Sequence, residues 1–304
     1  INFPMLCDYL GKNNIPTVLV LHDCWYFTGH CCHYSKIDCQ KWQHDCRHCP
    51  QIHEWNKSWF FDTAHRSLQE KKRLYQAISR LGVIGVSDWI TEEAKKSILR
   101  DVTLIRRIYN WIDVETFVPR DTSRLRKQLG ITEGERVLLG VATAWGKQKG
   151  LQEILSVAEN IPESKVVMVG KMPENIKIPK NMICVGQVRD PVKLSEYYSM
   201  ADLFLNPSVQ ETFGKTTIEA MSCGTPAIVY NTTACTELIG DKCGKVVDIM
   251  TSQDYLNNVN NCVQKKKDSS ICRAFAIENF SYRNSCNQYV EFFNRLISTY
   301  KLEE

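Results

Sequence analysis

The fold is decided by residues 201–220, which read ADLFLNPSVQETFGKTTIEA. The run 203–205 is apolar on both faces, as a strand inside a parallel sheet must be. The segment after Phe213 and Gly214 has the pattern of a helix that stops before Gly224, a residue suited to the position just past a helix C-terminus. A strand, a loop and a helix in this order predict one unit of an α/β sheet.

Short apolar runs of the same kind recur along the chain. They lie at 18–21, 83–86, 104–108, 137–141, 166–169, 183–185 and 227–229. Helical patterns stand between several of them, at 151–159, 192–200 and 216–221. This alternation predicts an α/β fold with a doubly wound parallel sheet.

The composition is that of an ordinary globular protein. Of the 304 residues, 43% are hydrophobic and 24% are charged, which excludes a disordered chain, a collagen and a coiled-coil rod. No stretch reaches about 18 consecutive apolar residues, so no transmembrane helix is predicted. The formal charge of +4 does not favour nucleic-acid binding, although it leaves room for a weakly basic patch facing anionic lipid or phosphate.

The length is comfortable for two domains. A boundary is predicted near 110–125, and the predicted domains are 1–118 and 119–280, followed by a helix at 281–304. Only three strands precede the boundary, so the first domain is predicted to be incomplete. Because the chain opens Ile1-Asn2-Phe3-Pro4 without Met or a signal-peptide pattern, we expect processing or a missing N-terminal segment.

The last segment has the spacing of an amphipathic helix with Ser281 as its N-cap. Its predicted apolar stripe consists of Tyr282, Cys286, Tyr289, Phe293, Leu296 and Tyr300. This stripe packs either on the first domain or on the sheet that precedes it, and periodicity does not choose between them.

The cysteines are unevenly placed, since seven of the 14 lie between Cys7 and Cys49. The later ones are interpreted as small buried hydrophobic side chains. The early ones lie among histidines, and the last two form a C-x2-C pair, which supplies two zinc ligands from one tight turn. The sequence therefore predicts a structural zinc ion held by Cys31, Cys39, Cys46 and Cys49. Cys32 is an alternative to Cys31 as a ligand. A loop of reduced thiols and a disulfide are the other interpretations.

The loop within 206–220 lies where open α/β sheets bind ligands, beyond the carboxyl end of a strand. Gly214 permits close backbone approach, the next helix begins with free amides that favour phosphate, and Lys215 adds a positive charge. Glu211 and Glu219 would repel phosphate, so they are interpreted as acceptors of hydrogen bonds from sugar hydroxyls. An ordinary helix start with solvated glutamates is the alternative.

A second polar string, residues 143–150, follows the strand 137–141 in the same way. Lys147 and Lys149 lie there beside another helix N-terminus, and two cations suit a diphosphate. Plain solvation of both lysines is the alternative.

Together these strings resemble the retaining glycosyltransferases of family 4, which have the GT-B fold. Glu211 to Glu219 matches that family's E-x7-E signature, and 222–226 matches the turn that follows it. Lys149-Gly150 matches its phosphate-binding Lys-Gly pair. In the first domain, 21–31 and 46–50 look like a branch involved in bacterial surface-polysaccharide assembly.

The resemblance implies two Rossmann-like domains that face a cleft, and a nucleotide-diphospho-sugar donor, UDP- or GDP-linked, with no catalytic metal. It implies that Glu211 contacts the donor sugar, Glu219 the ribose, and Lys149 with Lys147 the diphosphate. Backbone amides would come from Phe213, Gly214, Lys215 and Thr216. His22 would face the transferred sugar.

The same resemblance implies retention by front-face attack, in which the leaving phosphate helps to take the acceptor's proton. It also implies a glycan or lipid-linked acceptor and a place in the cytoplasm or at the inner face of the membrane.

The chain departs from the family pattern at three places. Thr143 and Ala144 stand in the region of the usual Arg, Trp111 replaces a usual Gly, and the family's N-terminal Gly-rich loop is absent. These departures leave open a non-catalytic nucleotide-binding or zinc-stapled remnant. A GT-B nucleotide-sugar epimerase, a sugar phosphorylase and a hydrolase are the enzyme alternatives.

Overall fold

A computed structural model describes residues 2–54, 57–249, 251–264 and 268–299. The strands of this structure are β1 (Thr17–Leu21), β2 (Leu81–Gly85), β3 (Leu104–Arg107), β4 (Arg136–Ala144), β5 (Ser164–Lys171), β6 (Met182–Gly186), β7 (Leu203–Asn206), β8 (Ala227–Tyr230) and β9 (Gly244–Val247). The helices are α1 (Phe3–Lys12), α2 (Ala64–Gln76), α3 (Asp88–Lys95), α4 (Ser123–Gln128), α5 (Leu151–Asn160), α6 (Pro191–Met200), α7 (Lys215–Ser222), α8 (Ser252–Val263), α9 (Ser269–Phe280) and α10 (Tyr282–Ser298).

The chain divides into two compact units. Unit 1 consists of Ile1–Asn110 and Ser285–Glu304, and unit 2 of Trp111–Asn284. Each strand pattern expected from the sequence corresponds to an observed strand. Within the described ranges, no helix combines the length and the apolar surface that crossing a bilayer requires.

Unit 1 contains a parallel sheet in the order β1-β2-β3. Every residue of β2 is buried, as expected for a central strand. Phe292 and Leu296 of α10 belong to the same core as Ile84 and Ile108. The last helix therefore contributes its described C-terminal part to the core of unit 1.

The buried face of α10 differs from the predicted stripe. Phe292 is fully buried and Phe293 is 41% exposed, while Tyr282, also expected in the stripe, is 56% exposed. The cause lies in β2, where a Cβ on Gly82 would come within 2.8 Å of the Phe292 ring, so the glycine makes room for that ring. Tyr300 of the predicted stripe lies outside the described residues.

The Cys- and His-rich loop after β1 has an aromatic centre. The Trp42 ring lies 5.3 Å from that of Phe27 and 4.9 Å from that of Tyr34. Lys71 of α2 is buried, and its Nζ donates hydrogen bonds to the carbonyl oxygens of Trp25 at 2.5 Å and Thr28 at 2.9 Å. Burial lowers the pKa of Lys71 to about 7. These contacts brace the irregular loop against α2 and around Trp42.

Unit 2 contains a parallel sheet in the order β6-β5-β4-β7-β8-β9. Counted within the unit, this is the order 3-2-1-4-5-6 of a doubly wound fold. Alternate side chains of β4 enter separate cores: Leu138 packs with Ile154 of α5, and Leu139 packs with Ala220 of α7. Helices therefore cover both faces of the sheet. The helix that follows β4 and the helix that follows β7 lie on opposite faces.

The segment that follows Asn110 packs in unit 2. The amide of Ile112 donates to the Phe280 carbonyl at 3.0 Å. The Phe117 carbonyl accepts hydrogen bonds from Ser222 Oγ at 2.6 Å and from Arg273 at 3.0 Å. The chain thus enters the core of unit 2 within the boundary region that the sequence predicts near 110–125.

Candidate active site

A cavity of about 420 Å³ lies at the carboxyl ends of β4 and β7, where the winding of unit 2 reverses. It is lined by Val141, Ala142, Thr143, Ala144, Trp145, Lys149, Asn206, Ser208, Glu211, Gly214, Lys215 and Thr216. Ligands of open α/β sheets bind at this topological switch point because the helices that follow the two strands turn to opposite faces. The structure therefore brings the two strings singled out in the sequence into one cavity.

The loop after β4 is braced against its neighbours. Buried Trp145 donates from its indole nitrogen to the Val169 carbonyl at 3.0 Å. Gly150 has φ +66°, and a Cβ on it would lie 2.3 Å from the Pro207 carbonyl oxygen. The absence of a side chain at Gly150 lets the two site loops touch, and the Val209 amide donates to Gln148 O at 3.1 Å.

The loop after β7 is anchored by Phe213. Its ring is 3% exposed and lies 5.7 Å from the ring of Phe280. Gly214 has φ +93°, which favours glycine, and α7 begins at the next residue. Gly214, Lys215 and Thr216 then line the cavity at the N-terminus of α7, an end that favours anions.

Lys149 and Glu211 form an ion pair inside the cavity. The Lys149 Nζ lies 2.5 Å from Glu211 Oε1, and the two side chains are 39% and 16% exposed. A cation assigned to phosphate and a carboxylate assigned to sugar hydroxyls therefore neutralise each other in this structure.

Glu219 lies deeper than Glu211 and is only 8% exposed. Its carboxylate accepts a hydrogen bond of 2.9 Å from the hydroxyl of Tyr198. Burial raises the pKa of Glu219 to about 7, although the Tyr198 hydrogen bond and the Lys215 charge oppose this shift. Glu219 is not among the residues that line the cavity, and its contact with ribose stays a prediction.

Because Glu219 has a pKa of about 7, we expect nucleotide binding to depend on pH. A carboxylate that accepts ribose hydroxyls must be ionised, so the affinity for UDP or GDP should rise about tenfold from pH 6 to pH 8. Titration calorimetry at several pH values measures this. The Glu219→Gln variant experiences the same phosphate ionisation and serves as the control, and an equal slope in both proteins would contradict the ribose contact.

Two other predicted residues lie apart from the cavity lining. Lys147 is exposed in the short 3-10 turn that precedes α5. His22 directly follows β1 in unit 1 and is exposed. Their assignments to the diphosphate and the sugar stay predictions.

Sequence reasoning missed several residues of the site. Asn206 and Ser208 line the cavity, and buried Asn206 donates to the Thr217 hydroxyl at 2.9 Å. Asn206 directly follows the strand pattern 203–205 and Ser208 lies two residues further on, a position that could have identified both. Thr233, whose hydroxyl oxygen accepts a hydrogen bond from the Glu211 amide, had no such signal in the sequence.

The four predicted zinc ligands surround one small void in unit 1, with Trp42 and Gln51 also in its wall. Their sulfurs are free thiols, and Cys32 is not part of this wall. The Gly29 amide donates to Cys46 Sγ at 3.3 Å. Even so, among the residues that the structure describes, no group of three or more His, Cys, Asp or Glu side chains is arranged to hold a metal ion.

The structural zinc therefore stays a proposal that elemental analysis can decide. If the four thiols close on an ion, protein purified without chelators should contain about one zinc per chain. Cys46→Ser should lose most of this zinc, whereas Cys32→Ser, altered outside the void, should keep it. Metal-free wild-type protein would rule the site out.

Comparison with known proteins identifies the family to which the chain belongs. The model of the family described as glycosyl transferases group 1 matches residues 121–278. The chain is 32% identical over 136 residues to N-acetyl-alpha-D-glucosaminyl L-malate synthase of Bacillus anthracis, covering 41% of this chain and 35% of that protein. It is 31% identical over 138 residues to alpha-galactosylglucosyldiacylglycerol synthase of Streptococcus pneumoniae, covering 40% and 36%. The matches thus span about a third of the length of these relatives.

Among solved structures, HepE of Anabaena in complex with UDP has a TM-score of 0.68 and 19% identity, covering 95% of this chain and 77% of that one. The same protein was also solved with UDP-glucose. This likeness concerns the fold and confirms the GT-B fold class expected from the sequence. Since the family model covers just over half of the residues, the chain belongs to the glycosyl transferases of group 1.

Proposed function

We propose that the protein is a retaining glycosyltransferase of the hexosyl type. It transfers a sugar from a UDP- or GDP-linked donor to a glycan or lipid-linked acceptor during surface-polysaccharide synthesis. The observation that carries this proposal is the cavity at the switch point, which joins Lys149, Glu211 and the N-terminus of α7. Membership of the group 1 family supports it.

The donor's diphosphate fits between Lys149 and the first turn of α7. The amides at a helix N-terminus carry partial positive charge and can approach an anion closely because Gly214 has no side chain. Lys215, also in the cavity wall, adds a second cation. The sugar then lies beside Glu211, whose carboxylate accepts hydrogen bonds from hydroxyl groups.

The nucleoside fits a second cavity that adjoins the first. This cavity has a volume of about 400 Å³ and shares Val141, Ala142, Thr143 and Thr216 with the donor cavity. Apolar side chains of Val169, Val188 and Leu194 form part of its wall, together with the polar Gln187 and Arg189. An apolar wall with a few polar groups is typical of sites for flat ligands such as a nucleobase.

The ion pair couples the two halves of the donor site. When the diphosphate arrives, Lys149 can turn from Glu211 to the phosphate oxygens, and the carboxylate becomes available to the sugar hydroxyls. Lys149 and the α7 terminus then stabilise the charge that grows on the leaving diphosphate. Such a reaction needs an oriented donor and a stabilised leaving group more than a strong base.

The proposal is tested by offering a panel of UDP- and GDP-hexoses to the protein. We expect slow donor hydrolysis and, with an acceptor, a product that keeps the donor's anomeric configuration in NMR spectra. An inverted product would contradict retention, and a protein that neither binds nor consumes any of these nucleotides would contradict the function. A lipid-linked acceptor would place the enzyme at the inner face of the membrane, which co-sedimentation with anionic vesicles measures.

A further inference from the structure

Thr233, in the turn after β8, has a backbone conformation that its residue type rarely adopts. Its φ is +40°, in the left-handed region. For a β-branched residue such a φ is an outlier, since the branched Cβ crowds the backbone. Strain of this kind persists only where the surrounding structure enforces it, and it clusters at functional sites.

The strained turn holds the backbone of Glu211 from both sides. The Glu211 amide donates to the Thr233 hydroxyl oxygen at 3.0 Å. The Ala234 amide donates to the Glu211 carbonyl at 3.3 Å. One residue earlier, the Thr232 hydroxyl donates to the Val209 carbonyl at 2.9 Å. Three hydrogen bonds thus fasten the loop that carries the sugar-facing carboxylate to the turn after the next strand.

We propose that Thr233 is a positioning residue that keeps Glu211 in place for the donor sugar. The inference rests on the proposed function. In the structure, Lys149 also restrains Glu211, but through its carboxylate. When Lys149 serves the diphosphate, the backbone contacts from the 232–234 turn still restrain Glu211. A glycine would form this turn without strain, but it has no hydroxyl to accept the Glu211 amide.

Three substitutions separate positioning from a structural turn. Thr233→Ser keeps the hydroxyl, Thr233→Val keeps the branched shape without it, and Thr233→Gly relieves the backbone while removing it. We expect the serine variant to turn over the sugar donor within about twofold of wild type. The valine and glycine variants should lose about tenfold in kcat, because a misplaced catalytic group costs rate. Affinity for free UDP or GDP should change less than about twofold in all three.

The assay uses the sugar nucleotide that wild-type protein consumes fastest among UDP- and GDP-hexoses. If Thr233 served only the turn, glycine would suit its φ best, and normal turnover by Thr233→Gly would overturn the proposal. An equal loss in Thr233→Ser would overturn it as well, because the hydroxyl would then be irrelevant. The serine and glycine pair decides the matter even if the valine variant does not fold. Wild-type protein that consumes none of these donors would instead refute the proposed function.

Discussion

Replacing Lys149 by alanine is expected to weaken the binding of UDP or GDP by about 2–3 kcal/mol, roughly 30- to 150-fold. The substitution removes the cation that faces the diphosphate. It also leaves the Glu211 carboxylate, which is only 16% exposed, without its partner at 2.5 Å. An unpaired carboxylate in the cavity repels the incoming phosphates, so one change removes an attraction and creates a repulsion. Titration calorimetry with free UDP and GDP measures the loss.

Two further variants isolate these contributions. Lys147→Ala removes an exposed cation two residues away that is not in the cavity wall, and it should cost less than about threefold in affinity. Lys149→Ala combined with Glu211→Gln removes both members of the ion pair. It should bind nucleotide more tightly than Lys149→Ala alone, which a double-mutant cycle quantifies. Unchanged nucleotide affinity in Lys149→Ala would contradict the assignment of the diphosphate to Lys149. A loss of equal size in Lys147→Ala would mean that Lys147 binds the diphosphate as well.

Glu211→Gln is expected to lower the rate of donor turnover roughly 10- to 150-fold. This corresponds to a barrier raised by about 1.5–3 kcal/mol, the range for hydrogen bonds to a charged group. Free UDP or GDP should bind as tightly as to wild type or more tightly. The reason is that glutamine releases Lys149 from the ion pair before the diphosphate arrives. Kinetics with the sugar donor and calorimetry with the free nucleotide together measure the two effects.

The matched variant is Glu219→Gln, which alters the second carboxylate of the same motif. This change should weaken binding of the free nucleotide, because Glu219 is assigned to the ribose. If both glutamine variants lowered nucleotide affinity equally, the division of roles between sugar and ribose would be wrong. If neither changed donor binding or transfer, the motif would be structural in this protein.

The sequence predicted the central strands of unit 2 well because the central residues of β4, β5, β7 and β8 are mostly buried and therefore read as continuous apolar runs. It missed β9, whose residues Gly244–Val247 include an exposed lysine and end the sheet at an edge. Edge strands need less apolar surface, so their pattern is weak. The loops that carry Lys149 and Glu211 were found because each follows a clear strand.

Other features of the site depend on contacts that no local pattern encodes. The partners Lys149 and Glu211 are 62 residues apart in sequence, and their pairing appears only once β4 and β7 are neighbours. Thr233 lies in a turn whose composition gave no hint of its φ. The choice of Phe292 over Phe293 follows from an empty space beside Gly82, a property of another segment altogether.

Unit 1 is assembled from both ends of the chain, and this has a consequence for biosynthesis. A ribosome releases Ile84 and Gly82 early, but the rings and methyl groups that cover them, Phe292 and Leu296, emerge only after the whole of unit 2. Until then, the incomplete unit 1 exposes an apolar surface to solvent. Chaperones commonly bind such surfaces on nascent chains. A premature stop codon in α10 would leave this surface uncovered permanently. The truncated protein is therefore expected to be aggregation-prone even though every residue of unit 2 has been translated.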